Sequence, residues 1–385
     1  MSQENPANRV FPARAPAAER LRFLLHYALL APSRHNAQPW TFEIEDDEVR
    51  VYADASRALP VADPDGRQLV MACGAAILNL RLAALHHGYA TSLELLSTHR
   101  RDGLLGRVRL EERCASTEDA EELFQAIPRR RTNRLPLDGR EPPDGLIAAL
   151  VREARREGVS LRAVEEPQRR AVSEIVAEAD HDAWSSGRFR AELAGWTRSN
   201  SSARHDGMPG YAHGMSDAAA FVRPLVVRFA TPAREEAERD RRRTLASKAL
   251  LVLSTPADSL PEWAAAGVAL QRVLLRATAL GLYASYFAQP IERSDLRRRV
   301  RDAVGETWLP QVMFRLGYGL DVRATPRRSV DSVLRRIDAS PRRVDALALR
   351  TPAPRPASSG VPLAPRPAPP VRDVVAHAHE PRVLQ

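Results

Sequence analysis

Cysteine is nearly absent: Cys73 and Cys114 are the only two in 385 residues, with no CxxC spacing and no cluster of histidines beside them. That usage argues against a disulfide framework and against a structural zinc site, and no other metal site is expected. Cys73 falls on the apolar face of a predicted helix, where a thiol is buried and inert. Also missing is any uninterrupted apolar run of the roughly 20 residues that cross a bilayer. Residues 1–18 lack the apolar stretch of a secretory signal, so the expected location is the cytoplasm, with no membrane partner. Neither a Gly-x-Gly-x-x-Gly fingerprint nor a P-loop is present, so a nicotinamide nucleotide would have to dock transiently rather than in a dedicated domain.

Lysine is scarcer than cysteine. Lys248 is the only one, so the formal net charge of +9 is almost all arginine. The arginines are dispersed among nearly as many carboxylates, and no zinc-finger, basic-zipper or RNP-type signature accompanies them. Solvated helix faces and local anion binding account for this pattern, and no nucleic-acid partner is expected.

What is present begins with composition. At 44% hydrophobic and 27% charged residues, the chain can bury a full globular core. Four regions are expected: a flexible start (1–17), a first half (18–128), a second half (129–337), and a Pro/Arg/Ala-rich tail (338–385). Runs such as Thr-Pro-Ala-Pro-Arg-Pro at 351–356 bury too little apolar area to offset ordering, so the tail is expected to be disordered. It is either an inert extension or a recruiter of proline-binding partners.

The two halves are suggested by a weak internal duplication. Gly74 to Gly88 and Gly267 to Gly281 frame helix-period segments of equal length, each ending at a glycine suited to a left-handed C-cap and each followed by a strand-like run. Helices and strands mix in both copies, which predicts an α+β sandwich repeated twice.

The segment Ala31-Pro-Ser-Arg-His-Asn-Ala-Gln-Pro-Trp40 lies between the first helix and the first strand. Pro32 ends the helix and Pro39 imposes an extended exit, leaving a rigid polar loop. Ser33, Arg34, Asn36 and Gln38 place donors and acceptors of several geometries within six residues, as a planar heterocycle with a phosphate tail requires. Capping and turn roles would use the same residue types.

This run, Ala-Pro-Ser-x-x-Asn-x-Gln-Pro-Trp, resembles the flavin loop of the nitroreductase family of FMN proteins. The resemblance covers roughly residues 18–335 and implies a nitroreductase-like α/β sandwich. Family members pair as homodimers with FMN at the interface, and here one chain would supply both partners as an internal pseudo-dimer, in the manner of the family's fused, Acg-type branch.

The family's phosphate-gripping opener is missing before Leu21. It is matched instead by Arg129-Arg-Arg-Thr-Asn-Arg134, through Arg130, Thr132 and Arg134. Ala288-Gln-Pro-Ile-Glu-Arg293 resembles a flavin-lining loop, through Pro290 and Glu292. Pro326-Arg-Arg-Ser329 would add the phosphate charge of Arg327 and Arg328. Pro32, Ser33, Arg34, Asn36 and Gln38 complete the implied cofactor set.

Each half lacks what the other has, so one site per chain and a monomer are expected. The branch also carries an insertion over the flavin, for which 183–217 is the candidate lid, with Trp196, Met208 and Tyr211 above the ring; an ordinary surface loop is the alternative. The resemblance implies that FMN N5 takes hydride from NAD(P)H and returns it to a nitroaromatic or quinone-like small molecule, with no catalytic side chain required. The competing expectation is a lidded protein that holds FMN with little turnover. Chemistry on one specialised substrate stays open as a third.

Overall fold

The computed structural model describes residues 8–96, 102–230 and 232–335. The expected disordered tail at 338–385 lies outside the described residues.

The first half runs α1 (Ala17–Ala28), β1 (Trp40–Glu45), β2 (Glu48–Ala53), α2 (Arg67–His86), β3 (Tyr89–Leu95), β4 (Leu104–Arg113) and α3 (Glu118–Ala126). The second begins with α4 (Leu146–Arg155), β5 (Ser160–Ala163), α5 (Glu166–Ser185) and α6 (Gly187–Trp196). The two-residue strands β6 (Thr197–Arg198) and β7 (Met208–Pro209) precede α7 (Asp217–Phe229) and α8 (Ala233–Leu245). It closes with β8 (Ala249–Thr255), α9 (Leu260–Ala279), β9 (Tyr283–Tyr286), α10 (Gln289–Glu292), α11 (Ser294–Ala303), β10 (Leu309–Gly317) and α12 (Val330–Val333).

The two four-stranded antiparallel sheets have one plan. The first is ordered β1-β2-β4-β3 and the second β5-β8-β10-β9, so corresponding strands occupy corresponding places and α2 corresponds to α9. Sequence pattern explains the placement. Trp40 and Phe42 alternate inward along β1, whereas every residue of β8 is buried, as befits a strand covered on both faces. α2 is apolar nearly all round and sits in the shared core. It is also the one described helix long and apolar enough by composition to cross a membrane, a feature that the uninterrupted-run criterion missed.

The duplicated glycines have two different jobs. Gly88 and Gly281 follow α2 and α9 at φ 83° and 79°, the left-handed geometry expected of a C-terminal cap. Gly74 and Gly267 lie where the two helices cross: an added Cβ would stand 2.2 Å from the Ala264 carbonyl oxygen and 2.0 Å from that of Met71. Nearby, Gln271 Nε2 donates to Asn79 Oδ1 at 2.8 Å, and Asn79 Nδ2 donates to the Tyr27 carbonyl at 3.0 Å. The halves thus share one core, joined by backbone contact and a buried amide relay.

They differ at one hairpin. β1 and β2 are joined by Asp46 and Asp47 alone, but residues 164–248 separate β5 from β8. The insertion is therefore wider than the predicted 183–217, whose first residues still belong to α5.

Candidate functional site

Between α1 and β1 the polar loop folds as a single 3-10 turn, Arg34–Asn36. His35, Asn36 and Gln38 take φ values of 51°, 54° and 53°, a conformation that non-glycine residues adopt only when their surroundings hold them there. Those surroundings are distant segments of the chain. Asn36 Nδ2 donates to the Gly207 carbonyl at 3.0 Å and to that of Pro326 at 2.9 Å, while Arg327 Nη1 donates to Asn36 Oδ1 at 2.9 Å. Gln38 Nε2 donates to the His205 carbonyl at 2.8 Å, and its Oε1 accepts the Arg328 N–H at 2.8 Å. Ser33 Oγ accepts the Gln38 N–H at 2.9 Å. Arg34 Nη1 reaches Glu292 Oε1 at 2.6 Å, and Arg67 and Gln68 of α2 approach the same carboxylate. Burial raises the pKa of Glu292 despite Arg34 and Arg67. Arg34 Nε and His35 Nε2 are buried without hydrogen-bond partners. Burial, then Arg34 and Arg134, hold the His35 pKa well below the ordinary value, so its ring is neutral at pH 7.

Beside this loop lies a concentration of arginines. Arg130, 5% exposed, and Arg327 both point an Nη2 at the Leu30 carbonyl, at 3.4 and 3.5 Å, from chain positions far apart. Arg130 Nε has no partner, and neither Arg130 nor Arg134 forms an ion pair with any described carboxylate. Burial, aided by the charges of neighbouring arginines, brings the pKa of Arg130 down to about 10 and that of Arg327 to about 9. Thr132 forms a bridge to Ala284 of β9, next to Tyr286. Guanidinium forks match phosphate oxygens, so a cluster of arginines of this kind suits an oxyanion.

The insertion closes over the loop and is fastened to the first half. Asp206 pairs with Arg57 and, at 2.9 Å, with Arg198. Glu192 of α6 accepts the N–H groups of Val61 and Ala62 at 2.8 and 2.9 Å. The Gly207 N–H donates to the Asn36 carbonyl at 3.2 Å. Trp196 packs near the guanidinium groups of Arg57 and Arg198, and Tyr211 Oη donates to the Ala324 carbonyl at 3.0 Å. Met208 is buried in a small cluster with Leu59, Trp184, Phe189 and Leu193. Beside the loop a small opening with room for about 10 Å³ is lined by Arg34, Ala37, Pro39, Arg57, Leu59 and Gln68 among others.

No family model matches the sequence. Individual relatives do match. "Putative NAD(P)H nitroreductase Rv3131" of Mycobacterium tuberculosis is 31% identical over 324 residues, spanning 83% of this chain and 92% of its own length. The chain belongs to the nitroreductase family. "Putative NAD(P)H nitroreductase acg" of the same organism is 28% identical over 322 residues, or 81% of this chain and 94% of that protein. Among solved structures, the FMN-dependent nitroreductase NfnB of Mycobacterium smegmatis in complex with NADPH aligns at 16% identity and a TM-score of 0.36, over 57% of this chain and 97% of its own.

In this chain the residues singled out from the sequence meet in space, but with divided duties. Pro32, Ser33, Arg34, Pro290 and Glu292 come together around the loop, and Arg130, Thr132, Arg134 and Arg327 around the cationic cradle. Asn36 and Gln38 instead spend their amides on the insertion and on residues 326–328. Arg328 likewise turns to the carbonyls of Gln38 and Ser332, at 3.1 and 2.8 Å, and faces Asp54 rather than the cradle. Met208 packs inward among insertion side chains and Leu59 of the first half. Sequence reasoning missed Arg57, Arg67, Gln68, Glu192 and Asp206. An arginine in the first turn of so apolar a helix was the available signal for Arg67; the others are ordinary polar residues until their partners are known.

Proposed function

We propose that this member of the nitroreductase family is an FMN-dependent oxidoreductase that passes reducing equivalents from NAD(P)H to a small electron-poor acceptor, of the nitroaromatic or quinone type. The observation that carries the reading is the cluster of Arg130, Arg134 and Arg327, in which Arg130 and Arg134 pair with no described carboxylate and the unpartnered Arg130 Nε fits a phosphate-bearing cofactor. Bound there, FMN would supply the redox chemistry by accepting hydride at N5. The chain's own residues do the rest. The three arginines and the Thr132 hydroxyl hold the phosphate. Arg34, fixed by Glu292, and the neutral His35 ring offer unpartnered nitrogens to the flavin edge. Asn36 and Gln38 lock the loop, and the insertion excludes water.

Both parts of the site lie in one chain, so the working unit in this reading is a monomer of 42.6 kDa with one FMN, a point for light scattering. The second reading, a protein that holds FMN with little turnover, draws on the fastened lid. Anaerobic titration of the FMN-loaded protein with NADPH and then NADH, followed near ~450 nm, separates them. Rapid bleaching is the expected result. A bound flavin that neither nucleotide reduces would transfer support to the holding role, and failure to bind FMN would end both readings.

A further inference from the structure

A helix at the surface of a globular protein turns its larger apolar side chains inward. α7 does the reverse. Its inner face is held by Ala220, close against Gly210, and by Val227, in the cluster with Leu59, Trp184 and Phe189. Its outer face is a stripe of Phe221, Leu225 and Phe229, spaced four residues apart and 76%, 64% and 72% exposed, with exposed Val222 and Val226 beside it. Five of the eight exposed large apolar side chains among the described residues thus lie on one helix. Apolar residues scattered singly over a surface need no explanation, but a stripe of this kind marks a place of contact.

The charges at the C-terminal end of the stripe are positive. Arg228 is exposed, and its guanidinium stands 5.3 Å from the centre of the Phe229 ring. Arg190 of α6 donates from Nε to the Arg228 carbonyl at 3.3 Å. Neither pairs with a described carboxylate, whereas Arg239, Arg241, Arg242 and Arg243 of α8 each do. The one carboxylate of α7, Asp217, lies about three turns away at the other end and accepts from Asn200 Nδ2 at 2.7 Å.

An apolar ridge edged by unpaired arginines fits the boundary of a bilayer, where the side chains enter the acyl region and the guanidinium groups meet lipid phosphates. Spanning a bilayer calls for about 20 apolar residues; lying on its surface calls for one amphipathic helix. The stripe presents roughly 500 Å², short of the roughly 800 Å² per partner of a standard protein interface, so a second copy of the chain fits it less well.

We propose that α7 is an interfacial helix that docks the chain on an anionic lipid surface, with Phe221, Leu225 and Phe229 among the acyl chains and Arg190 and Arg228 at the headgroups. This docking is independent of the FMN reading and needs no bound cofactor.

The test is flotation of the full chain with vesicles made of equal parts phosphatidylglycerol and phosphatidylcholine, and with vesicles of phosphatidylcholine alone. Binding is expected to the first and much less to the second, and it should weaken as salt screens the arginines. Phe221→Gln with Phe229→Gln should weaken it about tenfold or more without lowering the thermal unfolding temperature, because both rings are exposed. Arg228→Gln should weaken it about fivefold, on the anionic vesicles alone.

No flotation with the anionic vesicles would overturn the proposal. So would flotation that the double phenylalanine variant leaves unchanged, since the arginines alone would then account for it. A dimer in light scattering that the same variant splits, with no vesicle binding, would assign the stripe to a second copy and overturn the proposal. Vesicle binding that appears only when residues 338–385 are removed would overturn it too, by assigning the stripe to the chain's own tail.

Discussion

Replacing Asp206 by asparagine should loosen the lid. Asp206 joins Arg57 of the first half to Arg198 of the insertion, and all three side chains are largely shielded from solvent. A charge-assisted hydrogen bond in such a setting contributes about 1.5–3 kcal/mol, and asparagine keeps an acceptor but loses the charge. A net loss of about 2 kcal/mol moves the closed-to-open ratio roughly thirtyfold.

The pH dependence has a definite sign. Burial opposes ionisation of Asp206, but the bonds from Arg57 and Arg198 prevail and its pKa is lowered. The latch is therefore intact above the ordinary aspartate pKa and is lost only as pH falls through the depressed value, well into acid.

Two assays read the effect. Amide exchange at Gly207, whose N–H is bonded to the Asn36 carbonyl, needs no cofactor and should accelerate by about the same factor. Flavin reduction by the nucleotide should accelerate up to that factor if lid opening limits it. Unchanged protection of Gly207 in the variant would refute the latch.

Further outcomes follow from the same geometry. Arg130→Ala and Arg134→Ala should each weaken FMN binding by about 2 kcal/mol, roughly thirtyfold by fluorescence titration, and unchanged affinity would remove the cradle. Gly74→Ala and Gly267→Ala place a methyl against the backbone of the facing helix and should destabilise by about 3 kcal/mol or more in thermal unfolding; neutral substitutions would contradict the helix crossing. Cys73, buried and with its thiol pKa raised by burial and by Asp54, should resist thiol reagents in the native protein at pH 8, and its rapid labelling would contradict that burial.

Much of the fold was legible because its signals are local. The frames Gly74–Gly88 and Gly267–Gly281 announced two equivalent helices by their period and their end-caps, and the prolines at 32 and 39 bounded the loop. What the frames could not reveal is that their first glycines touch the opposite helix, since close approach is a property of pairs. The insertion was underestimated for a related reason. α8 is polar along most of its length and has too weak an apolar stripe to mark it as part of a packed layer. Asn36 and Gln38 show the same limit within the site: their residue types suit a ligand, but the carbonyls of His205, Gly207 and Pro326 reach them first.

Fusion of two halves around the Gly74–Gly267 crossing changes what variation can do to the molecule. In a symmetric homodimer any alteration is made twice, so a loop that damages one site damages both. Here the polar loop lies only between α1 and β1, because α4 passes to β5 through residues 156–159, and the long insertion opens only the β5–β8 hairpin. One copy is free to supply the polar loop and the other the arginine cradle and the cover. The penalty is the loss of a spare: in the one-site reading proposed above, ligand saturation follows a simple hyperbola, and half-of-the-sites behaviour has no physical basis within the chain.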